Sequence, residues 1–475
     1  MLQIEIDKKT EIENYITSLK KRVFVRTTDN LLIIMPNESV KLNSTASRIL
    51  KKLLEGSQLE QVLQNEIVNY GVSETEIAKY LHEFLVTLNN YINKEIDEQS
   101  LPPSIANIKY TPPLTTLPVL SEIALTYRCN NKCLFCYAAS DSSPQYKEPD
   151  MTIEQGKIIL DKIKNEAEVP SVSFTGGEPT LCRDVLLNLV SYASNELDMR
   201  VNLISNGTTL NKNLVGELQS HGLSSAQISL EGGTERIHDC LTQHPGSYQK
   251  TVSGIINLKQ AGIFVHTNTT ISNLNKNDIT DLVEVIATKL ELKRFSSNLI
   301  IPSGWALENL PELGLKYSEI GPIVRKLKEL ASDYGLEFFW YSPTPYCLFN
   351  PLEEGFGMKS CSACDGLLSI SPSGDIKPCS SFASGVGNLV ENSFKKVWDT
   401  KSAKYWRQKK FLPPVCHDCS YSSLCSGACP LYFDVYGYSE IMSDNMINKL
   451  KLRKMKFTRK RNAYQGSFKS NEYSK

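Results

Sequence analysis

Thirteen cysteines in a chain of 475 residues are not scattered. Three fall in "CNNKCLFCY" at 129–137, four between 347 and 379, and four in "CHDCSYSSLCSGAC" at 416–429. This grouping restricts the fold more than any other feature, because clustered thiols have to be gathered round common centres. Only Cys182 and Cys240 stand apart, and both are expected as small buried hydrophobes. The first residues, "MLQIEIDKKTEIENY", lack the basic n-region and apolar h-region of a signal peptide. No apolar run approaches the roughly 18 residues of a membrane span. A cytoplasmic location without membrane contact is therefore expected. Thiols in that compartment are kept reduced, so the groups read as metal ligands rather than disulfides.

The length predicts about three domains. Lys+Arg and Asp+Glu both total 52, so the overall charge does not call for nucleic acid as a partner. Residues 1–95 predict a small winged-helix-like domain. "RVFVRTTDNLLIIMP" reads as two strands round a turn at Asp29-Asn30. "NSTASRILKKLLEG" reads as a helix capped by Asn43 or Ser44 and ended by Gly56, and two amphipathic helices follow. Residues 96–118 form a Pro-rich linker. Over 119–340, "EIALTY", "PSVSFTG", "RVNLISNG", "SAQISLEG", "IFVHTNTTI" and "RFSSNLIIPSG" alternate with helical patterns. Six βα units imply an α/β fold, a partial or complete TIM-type barrel whose sites lie at the C-terminal ends of its strands. Residues 341–448 are loop-rich and cysteine-rich, and 449–475 form a basic tail, read as solvated.

Cys129, Cys133 and Cys136 are spaced C-x3-C-x2-C with Phe135 before the last, directly after the first predicted barrel strand. Structural zinc wants four ligands, and a cubane iron–sulfur cluster usually takes four thiolates. Three thiolates from one short loop leave one iron open. With this spacing and that aromatic residue the sequence resembles the radical S-adenosylmethionine (SAM) enzymes. The resemblance implies a [4Fe-4S] cluster on those three cysteines, with SAM chelated at the open iron by its amino and carboxylate groups. It also implies reductive scission of SAM to a 5′-deoxyadenosyl radical. That scission needs an electron from near the reducing end of the roughly −700 to +450 mV range of such clusters.

The other SAM contacts are expected on successive strand ends. Gly176, Gly177 and Glu178 of "GGEP" would let the backbone approach the ligand and accept from the methionine ammonium. Ser205 and Asn206 of "SNGT" match the family's ribose-contacting motif, and Ser229 of "SLEGG" matches a carboxylate contact. "NTT" at 268–270 and "IIPSG" at 300–304 are weaker candidates for the pocket lining.

The later cysteines resemble the SPASM extension of radical SAM peptide maturases, which implies one or two auxiliary [4Fe-4S] clusters. By that resemblance Cys379 and Cys429 help hold the first, with upstream ligands from Cys347, Cys361 and Cys364. Cys416, Cys419 and Cys425 hold three corners of the second. The family pattern ends with a further cysteine, and none follows Cys429 here. An open site, an oxygen from Asp434 or Asp444, a cysteine borrowed from upstream, or absence of that cluster are the alternatives.

The stretch "VFVRTTDNLLIIMPNESVKLNSTASRILKKLLEG" resembles the peptide-recognition elements of ribosomal peptide maturation, including the pyrroloquinoline quinone peptide chaperone. A leader peptide would add as a strand to an edge near "RVFVR" or "LLIIM". A DNA-binding winged helix is disfavoured by acids such as Glu60, Glu74 and Glu76 on the helices. Together these resemblances imply an enzyme that modifies a precursor peptide by crosslink, thioether or epimerisation, fed by a flavodoxin- or ferredoxin-type reductant. The alternatives are a maturase of a protein (sulfatase-type) or of a haem or other cofactor precursor, and a non-enzymatic metal-bearing peptide- or DNA-binding protein.

Overall fold

The computed structural model describes residues 6–20, 22–35, 38–71, 73–93, 95, 116–138, 148–419, 421–425 and 427–441. Most of the Pro-rich linker, Asp444 and the basic tail lie outside the described residues.

The N-terminal part builds its own core. Strands β1 (Val23–Arg26), β2 (Leu31–Ile34) and β3 (Glu38–Lys41) pair antiparallel in that order. The turn between β1 and β2 is closed by Asn30, held at a φ of 52° in the left-handed region that asparagine tolerates. Four helices accompany the sheet: α1 (Ile6–Leu19), α2 (Ser44–Leu54), α3 (Leu59–Tyr70) and α4 (Glu74–Ile92). The Asn43 side chain accepts from the Ala46 N–H and starts α2. Ser73 and Glu76 form a reciprocal capping box on α4. Ile49, Leu50, Leu63, Leu81 and Phe84 fill the interior between them. The structure adds α1 and β3 to the elements read from sequence.

The second unit is one open sheet of ten strands. Its centre is six parallel strands: β4 (Leu120–Ala124), β5 (Ser171–Thr175), β6 (Arg200–Ser205), β7 (Ser225–Ser229), β8 (Phe264–Ile271) and β9 (Arg294–Leu299). They are the six strands expected from sequence. β10 (Glu337–Trp340) adds parallel to β9. At the other edge β11 (Leu367–Ile370) adds parallel to β4, followed by the antiparallel β12 (Asp375–Lys377) and β13 (Gly387–Asn388). The order is β10-β9-β8-β7-β6-β5-β4-β11-β12-β13, so the barrel is partial and does not close. The region expected to be loops thus supplies three strands of the same sheet. Helices such as Ile153–Asn165 and Ser247–Gln260 cover the sheet with buried Ile159, Leu160, Ile255 and Leu258.

The two units meet at Arg26, which is fully buried. Its guanidinium donates to both carboxylate oxygens of Asp29 at 2.9 Å and to the carbonyls of Pro118 at 2.6 Å and Leu117 at 3.0 Å. Cys182 is buried as expected, but Cys240 is exposed on the outer face of the helix Glu235–Thr242, because the apolar side of that helix is taken by Leu241. Among the described residues no helix is long and apolar enough to cross a membrane.

Candidate active site

The cysteine loop leaves the C-terminal end of β4 and is gripped from three sides. After β5, the Gly177 N–H donates to the Thr126 carbonyl at 2.7 Å and the Glu178 N–H to the Arg128 carbonyl at 2.8 Å. A Cβ on Gly176 would stand 2.2 Å from the Thr126 oxygen, and one on Gly177 2.2 Å from the Arg128 oxygen. The glycines expected to admit a ligand are thus required first by the chain's own backbone. In mid-loop, the Lys132 and Leu134 N–H groups donate to the carbonyls of Thr242 and Leu241 at 3.0 and 2.9 Å. After β9, the Trp305 N–H donates to the Cys136 carbonyl at 2.9 Å, and Gly304 presses on Tyr137. "IIPSG" is therefore a clamp on the loop.

So held, the three thiols lie close enough to act on one another by charge. Burial first, then the charges of Glu178 and Cys136, push the Cys129 thiol up to about 12. Burial, Cys136 and Cys129 raise Cys133 well above the ordinary thiol range. Thiols so raised deprotonate together only round a cationic centre, which is what an iron–sulfur cluster offers. The Cys129 sulfur already receives the Asn131 N–H at 3.4 Å and the Asn206 amide at 3.8 Å. The Asn131 side-chain amide nitrogen is buried in the same loop without a hydrogen-bond partner. The donor set and the orphaned amide fit a three-thiolate cluster.

The next strand ends adjoin this loop. Glu178 is fully buried and accepts from Thr180 Oγ1 at 2.6 Å, Ser205 Oγ at 2.8 Å, the Asn206 N–H at 2.9 Å and the Thr180 N–H at 3.2 Å. These donors ease a carboxyl that burial nonetheless raises. Glu178 therefore ties the ends of β5 and β6 together. Asn206 in turn donates to Asn130 at 2.8 Å. Ser229 ends β7 opposite Asn268 of β8, and Asn268 donates to Asn298 at 2.7 Å.

Two features escaped the sequence reading. Glu231, two residues beyond Ser229, is buried and pushed up to about 8 by desolvation, with the Thr270 N–H donating to it at 2.8 Å. Its charge is felt at Cys133. The acid inside "SLEGG" was the available signal. A cleft lined by Glu122, Tyr127, Tyr137, Lys377 and Ser380 lies between the residue following Cys136 and the residue following Cys379. Glu122 accepts from Ser369 Oγ at 2.7 Å across the β4–β11 pair. That pairing is long-range and leaves no local signature.

The remaining cysteines separate by neighbourhood. Cys361 and Cys429 act most strongly by charge on Cys379, and Cys364 feels Arg407 and Lys409 first and then Cys361. Cys347 and Cys416 act by charge on Cys425. Cys347, expected among the candidates for the first set or as a cysteine borrowed by the second, has Cys416 and Cys419 as its charge neighbours. Among the described residues no three His, Cys, Asp or Glu side chains converge as ligands of a single ion.

The model of the radical SAM superfamily matches residues 123–286, spanning the cysteine loop and the ends of β4 to β8. That of the SPASM iron–sulfur cluster-binding domain matches residues 360–420. The chain carries a radical SAM domain and a SPASM domain, and is an enzyme of iron–sulfur clusters and SAM. Among its relatives, an AdoMet-dependent heme synthase of Methanosarcina barkeri is 26% identical over 337 residues, covering 66% of this chain and 92% of that protein. The antilisterial bacteriocin subtilosin biosynthesis protein AlbA of Bacillus subtilis is 25% identical over 405 residues, covering 82% of this chain and 84% of AlbA. Streptococcus suis SuiB, solved bound to its precursor peptide SuiA, superposes with a TM-score of 0.64 at 17% identity, covering 87% of this chain and 95% of SuiB.

Proposed function

We propose that this enzyme modifies a ribosomally made precursor peptide. The observation that carries the reading is the extent of the likeness. The similarity to a bacteriocin biosynthesis protein runs over 82% of the chain, against 66% for the heme synthase. The additional N-terminal unit, with its separate core and three-stranded sheet, is the kind of element that binds an extended peptide by strand addition.

In this reading residues 1–95 take the leader and 96–118 tether them. Residues 119–340 hold the reaction, 341–448 the auxiliary clusters, and 449–475 form a basic tail. Cys129, Cys133 and Cys136 hold the first cluster. Gly176, Gly177, Glu178, Ser205, Asn206 and Ser229 surround SAM, with Glu178 keeping the strand ends in register. When bound, cluster and SAM supply a one-electron oxidation that removes a hydrogen atom from the peptide. The clamped loop and the buried carboxyls exclude water from that step. A flavodoxin- or ferredoxin-type protein delivers the electron, and the cytoplasm is the compartment.

The test is anaerobic co-production with a short peptide encoded beside the gene, followed by mass analysis in deuterated water. A lost pair of hydrogens marks a crosslink or thioether, and uptake of solvent deuterium marks epimerisation. An unaltered peptide together with conversion of an iron porphyrin precursor would overturn the peptide reading in favour of the haem one.

A further inference from the structure

The SPASM resemblance leaves the second auxiliary cluster one thiolate short, because no cysteine follows Cys429. The structure brings a cysteine from the opposite direction in sequence. The segment 344–347, just after β10, lies against Cys425: the Tyr346 N–H donates to the Cys425 sulfur at 3.3 Å, and that sulfur stands 3.9 Å from the Thr344 carbonyl. The Tyr346 ring is buried 6.3 Å from that of Tyr421, which lies between Cys419 and Cys425 in sequence. The Cys419 N–H donates to the Cys416 carbonyl at 3.3 Å and the Cys425 N–H to that of Tyr421 at 2.8 Å, closing the C-x2-C-x5-C stretch into one compact turn. The other cysteines are fixed by different neighbours. The Cys364 N–H donates to the Pro378 carbonyl at 3.0 Å, Lys409 donates to the Cys361 carbonyl, and the Tyr317 hydroxyl receives the Cys429 N–H at 3.2 Å.

On the reading of the chain as a SPASM enzyme, we propose that Cys347 is the fourth thiolate of the second auxiliary cluster, beside Cys416, Cys419 and Cys425. Cys361, Cys364, Cys379 and Cys429 then make a complete set for the first. The charge neighbours agree: Cys347 feels Cys416 and Cys419, whereas Cys429 feels Cys361. The carboxylate of Asp434 is exposed and acts on Cys429 of the other set. The consequence is chemical. A cubane with four thiolates has no iron left for substrate, so the second auxiliary cluster exchanges electrons without binding peptide.

The experiment uses the full chain with Cys129, Cys133 and Cys136 changed to alanine, reconstituted anaerobically with iron and sulfide. About eight irons are expected, two cubanes. Adding Cys347→Ala should remove at least one iron and give the electron paramagnetic resonance signal of a three-iron cluster. Adding Cys347→Ser should retain the iron but shift the spectrum of the dithionite-reduced cubanes, which covers the case of a misfolded alanine variant. Adding Cys240→Ala, at an exposed thiol, should change nothing. Iron content and spectra unaltered by both Cys347 changes overturn the assignment, as does a parent with only about four irons that Cys347 does not influence. Failure of the enzymatic reading looks different: unaltered chain that binds no iron and releases no 5′-deoxyadenosine from SAM.

Discussion

His238 sits behind the fourth strand end, its Nδ1 accepting the Glu231 N–H at 3.1 Å. Burial holds its imidazole down at about 4, with Asp239 opposing weakly. The folded chain therefore keeps this ring neutral, while an unfolded chain takes up a proton near pH 6.5. The unfolded state binds more protons below that value, so stability falls as the pH drops from about 6.5 towards 4, by about 3 kcal/mol in all. His238→Asn should flatten that acid limb in thermal melts recorded across the range. An unchanged slope would show that the ring titrates freely. None of this was legible in the sequence, where His238 is one polar residue in a helical pattern. Its burial comes from Tyr248, whose ring meets it edge-on at 5.7 Å from the following helix.

Between elements, the cysteine loop depends on three clamps rather than on its own turns. Gly177 is the tightest of them. Gly177→Ala would drive a methyl group into the Arg128 carbonyl, where overpacking costs about 1–3 kcal/mol. The loop should then open, and the reconstituted chain should lose the iron of one cluster while the two cysteine sets beyond residue 340 keep theirs. Iron assay and SAM cleavage measure this, and full iron with full cleavage would refute the clamp. The spacing C-x3-C-x2-C and the six period-two strands were readable because each is local. β11 was not, because "LLSI" is four residues long and its partner β4 lies some 250 positions earlier. The proposed place of Cys347 stayed open among alternatives for the same reason: spacing orders ligands along the chain, whereas the return of the chain after β10 is what brings the segment 344–347 against Cys425.

In the whole molecule, the N-terminal unit and the barrel are fastened through Arg26, whose charge is balanced by Asp29 and capped by two carbonyls of the segment entering β4. Arg26→Ala leaves the Asp29 carboxylate buried without its partner, a loss of about 3–5 kcal/mol. The N-terminal core should then yield to protease well before the barrel, with cluster iron retained. Joint unfolding of both units would contradict that division. A second connection runs through the sheet itself, where β11 continues the ladder from β4 without a break. The loop with Cys129 follows β4 and Cys379 follows β12, two strands along one continuous sheet, so no hinge intervenes between those two thiols. Tunnelling distance is thereby built into main-chain geometry, and swapping C-terminal portions among relatives would require grafting the adjoining strand and its matching edge as well.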